Sequence, residues 1–241
     1  MRSIKVMMHA HSNWSYDGRW SLDAIARLFG RLGYDCVMMS EHDTGFDPQK
    51  FPDYRAACQA ASTPRCALIP GIEYSSPDND IHILTWGLDH FLTEHQPVID
   101  TLRAVHEQKG GAIFAHPKRR NAFAKYDPAW TPYLSGVEVW NRKTDGLTFG
   151  VEAIQLISNT GLMATVGSDF HILRHLYPLS TRFNIDEDQP IEAALVTALR
   201  QGAHTAHAFG RPITDQSGQL KRGAHTQLES MRRAALRIFR K

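Results

Sequence analysis

The stretch HAHSNWSYDG, residues 9–18, sets two histidines one residue apart and then Asp17 six residues beyond the second. In a strand, alternate side chains share a face, so His9 and His11 are expected to point the same way and to be able to share a metal ion. With 13 histidines in 241 residues, a chain of this composition holds roughly 0.7 such pairs by chance. The pair therefore gains its meaning from its company. Glu41, His42 and Asp43 follow the apolar run CVMM, and Glu73 lies near the end of ALIPGIEY. His82 lies inside DIHILTW, and His116 precedes Lys118, Arg119 and Arg120. Glu138 and Asn141 fall in and just after GVEVW, and Asp169 and His171 follow LMATVGS. Imidazoles and carboxylates without thiolates suit zinc, manganese or iron, and there are more of them than one ion needs.

Something must bring these residues together. Short apolar runs at 4–8, 36–40, 67–74, 80–86, 112–116, 136–140 and 162–168 read as buried strands. Between several of them lie amphipathic helices. Leu22, Ile25, Ala26, Phe29 and Leu32 recur at helical spacing, with Ser21 as N-cap and Gly33 as the stop. Residues 95–109, 147–160 and 190–201 read likewise, the last with Pro190 in its first turn and Gly202 past its end. Buried strands separated by helices predict an α/β fold with a parallel sheet. This many units in this length predict one closed or nearly closed barrel, with its site at the C-terminal ends of the strands. The chain reads as a single domain over 1–241, with 211–225 as a loop and 226–240 as a basic C-terminal helix carrying Leu228, Met231, Ala235 and Ile238 on one side.

Composition narrows the class. Lys+Arg 27 against Asp+Glu 25 gives a formal net charge of +2, so the chain as a whole is no polyanion magnet. The exception is the tail, where Lys221, Arg222, Arg232, Arg233, Arg237, Arg240 and Lys241 face one acid, Glu229. Cys36, Cys58 and Cys66 show no CxxC spacing and are expected to be buried thiols in a reducing compartment. No apolar run approaches membrane-spanning length, and the N-terminus does not read as a signal peptide, so a cytoplasmic location is expected.

HAHSNWSYDG, SEHD, GIE, AHP and GSDFH, in this order, resemble the PHP (polymerase and histidinol phosphatase) family over residues 1–210. The resemblance implies a distorted (β/α)7 barrel and a phosphoesterase that depends on divalent metals, three in number. It further implies that His9, His11, Glu73 and Asp169 hold one ion, and that Glu73 bridges to a second completed by His82 and His116. Asp17, His42 and His171 would hold the third. Two positions depart from the family's pattern: Glu41 stands where Asp is usual, and Phe170 where a small residue is usual, so a contact to His42 and a pocket wall are expected to differ.

Such a site favours a phosphate dianion over a neutral amide, because three divalent ions outweigh the carboxylates of Asp17, Glu73 and Asp169, the catalytic residues expected here. The expected reaction is hydrolysis of a phosphomonoester of a small metabolite (a nucleotide, a nucleoside bisphosphate or histidinol phosphate) by hydroxide generated on the metals. Arg119, and more weakly Lys118, are the expected phosphate-binding cations. Three alternatives stand beside it: a 5′-to-3′ exonuclease on short nucleic acids, a silent metal-binding module, and an amide-cleaving metallohydrolase. His175, His204 and His207 are expected to be ordinary surface or core residues.

Overall fold

The computed structural model describes residues 1–215 and 217–221, with Gly223, Ala224, Thr226, Gln227, Leu228, Ser230 and Arg233. Most of the expected basic helix at 226–240 lies outside the described residues. Leu228 packs against the core. The fold is mixed α/β, one large sheet with helices packed on it.

The first strand, β1 (Arg2–Ala10), is parallel to β2 (Cys36–Met39) on one side and, through its last residues, to β9 (Ala164–Phe170) on the other. Two further rows are each interrupted once. β2 continues past Ser40 into β3 (Glu41–His42), and β4 (Ala67–Ile69) continues past Pro70, which lacks an amide N–H, into β5 (Gly71–Ser75). β2 pairs with β4 and β3 with β5, both in parallel. Next come β6 (His82–Trp86), antiparallel to β5, and β7 (Gly111–Phe114), antiparallel to β6. β8 (Gly136–Asn141) then runs parallel to β7 and to β9, which returns the pairing to β1. The sheet thus departs from the all-parallel expectation at β6. Its reversed direction makes His82 the first residue of its strand, opposite Ser75, yet puts it at the same end as the last residues of the others.

Among the described residues, five longer helices cover the sheet: α1 (Leu22–Arg31), α2 (Phe51–Ala61), α3 (Val98–Glu107), α5 (Val151–Thr160) and α6 (Ile191–Arg200); a single turn, α4 (Arg142–Asp145), follows β8. The Ser21 hydroxyl caps α1 by accepting the Ala24 N–H at 3.3 Å, and Gly33 ends it with φ +73°, as expected. Pro190 sits one place earlier than expected, at the N-cap of α6. The period-two rule sorts the core. Ile4, Val6, Met8, Cys36, Met38, Leu84 and Trp86 cluster with Ala194, Leu195 and Leu199 of α6, whereas Met7, Val37 and Met39 join the layer of α1 and α2.

Two regions escaped sequence reading. α2 buries Phe51, Tyr54, Cys58 and Ala61 at helical spacing, a stripe without Leu, Ile, Val or Met to announce it. β10 (Leu179–Ile185), β11 (His204–Ala208) and β12 (Arg211–Pro212) form an antiparallel extension on β1, and LSTRFNI has no continuous apolar run. Residues 211–215 of the expected loop therefore include a short strand. Cys36, Cys58 and Cys66 are buried free thiols. No helix among the described residues is long and apolar enough to cross a membrane.

Candidate metal centre

Plain alternation would aim His9 the same way as Met7, into the helix layer. A bulge in β1 between Met8 and Ala10 prevents this: His9 takes φ +64°, so Met8, His9 and His11 all turn away from Ala10. The expected shared face of His9 and His11 is thus reached through a bulge rather than through regular pleating. His116 (φ +27°) and Asp169 (φ +50°) are left-handed as well, and backbone of this kind persists only where its surroundings over-determine it. Part of that surrounding is Gly167. A Cβ there would come within 2.0 Å of Glu138 Oε1 and 2.8 Å of His9 Cβ.

Glu73 stands at the centre, beside His42 in the β3–β5 register and buried. Its carboxylate lies 2.6 Å from His82 Nδ1, 2.9 Å from His116 Nε2 and 3.2 Å from His42 Nδ1. His11 Nε2 follows at 3.4 Å and His9 Nε2 at 3.5 Å. Asp169 Oδ1 closes the other side, 3.4 Å from His11 Nε2, 3.7 Å from His9 Nε2 and 3.3 Å from His171 Nδ1. Asp17, half-buried, reaches His42 Nε2 at 3.4 Å and His171 Nε2 at 3.0 Å. All nine residues expected as ligands are brought together.

Burial alone would raise the Glu73 carboxyl, yet His82 and His9 hold it well below its ordinary range. Asp169 is likewise held low against burial by His9, His11 and Lys143. Burial opposes charge on His42, but the Asp17 and Glu73 carboxylates facing its ring push it up to about 10. Burial and the neighbouring His42 drive His11 well below its ordinary value. The carboxylates thus attract more positive charge than mutually repelling imidazoles can supply. A divalent ion fits that deficit, and the donor atoms agree. His9 Nε2, His11 Nε2, His42 Nε2 and Asp17 Oδ1 are buried without a hydrogen-bond partner. Three groups (His9, His11, Asp169; His9, Glu73, His116; His11, His42, His171) each bring their ligand atoms within 4.8 Å of one another.

Other residues fix the rings. His9 Nδ1 donates to Glu138 Oε1 at 3.0 Å, and since a carboxylate only accepts, the neutral ring keeps its lone pair on Nε2, facing the cavity. Glu138 also accepts the His116 N–H at 2.9 Å and the Asn141 side-chain amide at 2.9 Å. Glu138 thus anchors two of the expected ligand residues, His9 and His116, at once. His82 Nε2 donates to Asn79 Oδ1 at 2.7 Å, which turns Nδ1 toward Glu73. Glu41 accepts from the Ser12 amide and from the hydroxyls of Ser12 and Ser15, and Ser15 Oγ accepts the His42 N–H at 3.0 Å. Glu41 therefore reaches His42 through a serine. Phe170 corrects the expectation of a reshaped pocket wall: it is fully buried on Phe29 and Trp20, in the core. His175 is more than ordinary, with Nδ1 3.1 Å from the Asp169 carbonyl oxygen and its ring against His171.

The expected phosphate cations stand further out. Arg119 donates to the Asn79 carbonyl oxygen at 2.8 Å, and Lys118 is exposed. Sequence reading passed over Lys143, whose Nζ lies 3.2 Å from Asp169 Oδ1 and 3.3 Å from His171 Nε2. A lysine on a surface turn carries no signal that it reaches into a site.

No family model matches the sequence, and no curated protein does. Solved structures do. A two-domain protein from Bacteroides vulgatus containing a predicted PHP-like metal-dependent phosphoesterase matches with a TM-score of 0.67 at 20% identity, over 88% of this chain and 67% of that one. PsfC from Pseudomonas syringae matches with a TM-score of 0.65 at 17% identity, over 96% of this chain and 100% of its own. The lesion-specific endonuclease EndoQ from Pyrococcus furiosus matches with a TM-score of 0.58 at 15% identity, and this chain spans 58% of its length. The chain has the fold of the PHP-like metal-dependent phosphoesterases.

Proposed function

We propose that the protein is a metal-dependent phosphomonoesterase acting on a small metabolite such as a nucleotide, a nucleoside bisphosphate or histidinol phosphate, within a distorted (β/α)7 barrel formed by the pairing that returns to β1. One observation carries the reading. A single buried carboxylate, Glu73, meets five imidazoles within 3.5 Å, and four of those rings (His9, His11, His42 and His116) keep an unpartnered nitrogen. Three ions are assigned: one on His9, His11, Glu73 and Asp169, one on Glu73, His82 and His116, and one on Asp17, His42 and His171. Zinc, manganese or iron suits these donors. Bound there, the ions would supply a hydroxide nucleophile at neutral pH and offset the charge of a phosphoryl group.

The chain's own contribution is preorganisation. Glu138 and Asn79 set which nitrogen of His9 and of His82 faces the cavity. Burial of His9, His11, Glu73 and Asp169 strengthens each electrostatic contact made inside.

A second reading, a nuclease acting on nucleic acid, is favoured by the likeness to endonuclease Q, one structure of which holds a duplex with an abasic lesion at the active site. The near-neutral formal charge of +2 argues for a small substrate instead. The test is to purify the protein without a metal-affinity tag, count its metals by mass spectrometry, and assay phosphorylated metabolites, oligonucleotides and amides. Phosphate release from metabolites that is lost in His116→Ala and Asp17→Asn supports the phosphatase. Shortening of oligonucleotides without metabolite turnover supports the nuclease. Bound metal with no turnover of any ester indicates a silent module.

A further inference from the structure

We propose that Lys143 is the cation that binds the substrate's phosphoryl group, an inference that rests on the phosphoesterase reading above. The side chain is 38% exposed, so it enters the site from the solvent side, yet its ammonium sits between Asp169 Oδ1 and His171 Nε2. Its base is fixed. The turn α4 that carries it is capped by Asn141, whose Oδ1 accepts the Thr144 N–H at 2.9 Å. The same Asn141 holds Glu138 through its amide, and Asp145 Oδ2 accepts the Asn141 N–H at 2.7 Å. The lysine is therefore tethered to the framework that orients His9.

Asp169 and His171 are assigned to different ions. With ions held there, an ammonium between them would meet like charge on both sides and would move outward along its flexible stem. The anion that balances the loaded site is the phosphoryl group, and Lys143 then stands at the rim where its outer oxygens lie. Tyr16 marks that rim: it is 73% exposed, stacks on His42 with ring centroids 5.0 Å apart, and lies within electrostatic reach of both Lys143 and Arg119. Arg119 and Arg120 both donate to the Asn79 carbonyl oxygen, whereas Lys143 already points at the ligand atoms.

The test uses wild type, Lys143→Met and Lys143→Arg, each loaded with manganese, with the metal counted by mass spectrometry and inorganic phosphate titrated by calorimetry. Lys143→Met is expected to keep the wild-type metal count and to bind phosphate on the order of 10–100-fold more weakly, as befits the loss of one charge-assisted hydrogen bond, with Lys143→Arg in between. Unchanged phosphate affinity in Lys143→Met overturns the inference. So does loss of metal in that variant, which would make the lysine a support for Asp169. A wild type that holds no metal overturns the phosphoesterase reading as well, and that outcome is visible before any variant is made.

Discussion

The histidines around Glu73 and those of β11 are similarly hidden from solvent but sit in opposite electrostatic settings. His204 is 2% exposed, packs on Phe183, and has no hydrogen-bond partner on either ring nitrogen. No carboxylate among the described residues faces it, and burial, only partly offset by the Ala198 backbone, lowers it to about 4. His42 pays the same desolvation and is nevertheless pushed up to about 10, because Asp17 and Glu73 face it. Burial therefore does not mark a functional histidine. A carboxylate within reach does, and among the described residues such pairs gather at one end of the sheet.

The sharpest way to break this contrast is to neutralise its centre. Glu73→Gln should strip the metals counted by mass spectrometry and lower phosphoester turnover on the order of 10³-fold. A variant that keeps its metals and its rate would show that Glu73 merely balances charge. On the other side, His204 should make the fold acid-sensitive. Its folded value lies below the unfolded 6.5, so no stability is lost above pH 6.5. As pH falls from 6.5 toward about 4 the unfolded chain takes up a proton that the folded one refuses, a loss of about 3 kcal/mol. Metal-free His204→Leu should flatten the fall in chemical-denaturation stability across that window; an unchanged slope would assign the sensitivity elsewhere.

Two smaller effects sharpen the picture. Gly167→Ala places a methyl against Glu138 and His9 and should cost about 1–3 kcal/mol of unfolding free energy, with loss of metal exceeding what that destabilisation explains. Asn79→Ala frees the His82 ring without touching a ligand and should weaken metal binding roughly 10-fold, read by chelator competition. Retained affinity would show that packing alone orients that ring.

Most of the candidate residues were legible because each follows or interrupts a short apolar run, so strand ends could be read locally; Asp17 and the grouping into ligand sets came only from the family resemblance. What escaped reading depends on partners far along the chain or on backbone detail. Glu138 reaches His9 across 129 positions, and Lys143 reaches Asp169 across 26. The bulge that turns His9 inward replaces a regularity that sequence reasoning takes for granted. β10 and α2 were missed for a different reason: one alternates polar with apolar residues, and the other uses Phe, Tyr and Cys for its buried stripe.

The turn before β6 has a consequence for ionic strength. Lys125 bridges Asp78 at 2.6 Å and Asp80 at 2.5 Å, while Arg119 and Arg120 hold the Asn79 carbonyl oxygen, so mostly exposed charges pin the residue that steers His82. Such ties weaken in brine, where the Debye length shrinks from about 10 Å at 0.1 M to about 3 Å at 1 M, and the interior pairs around Glu73 are screened far less. Rising salt should therefore empty the site proposed on His82 and His116 ahead of the one proposed on His9 and His11, a graded unloading from a single molecule.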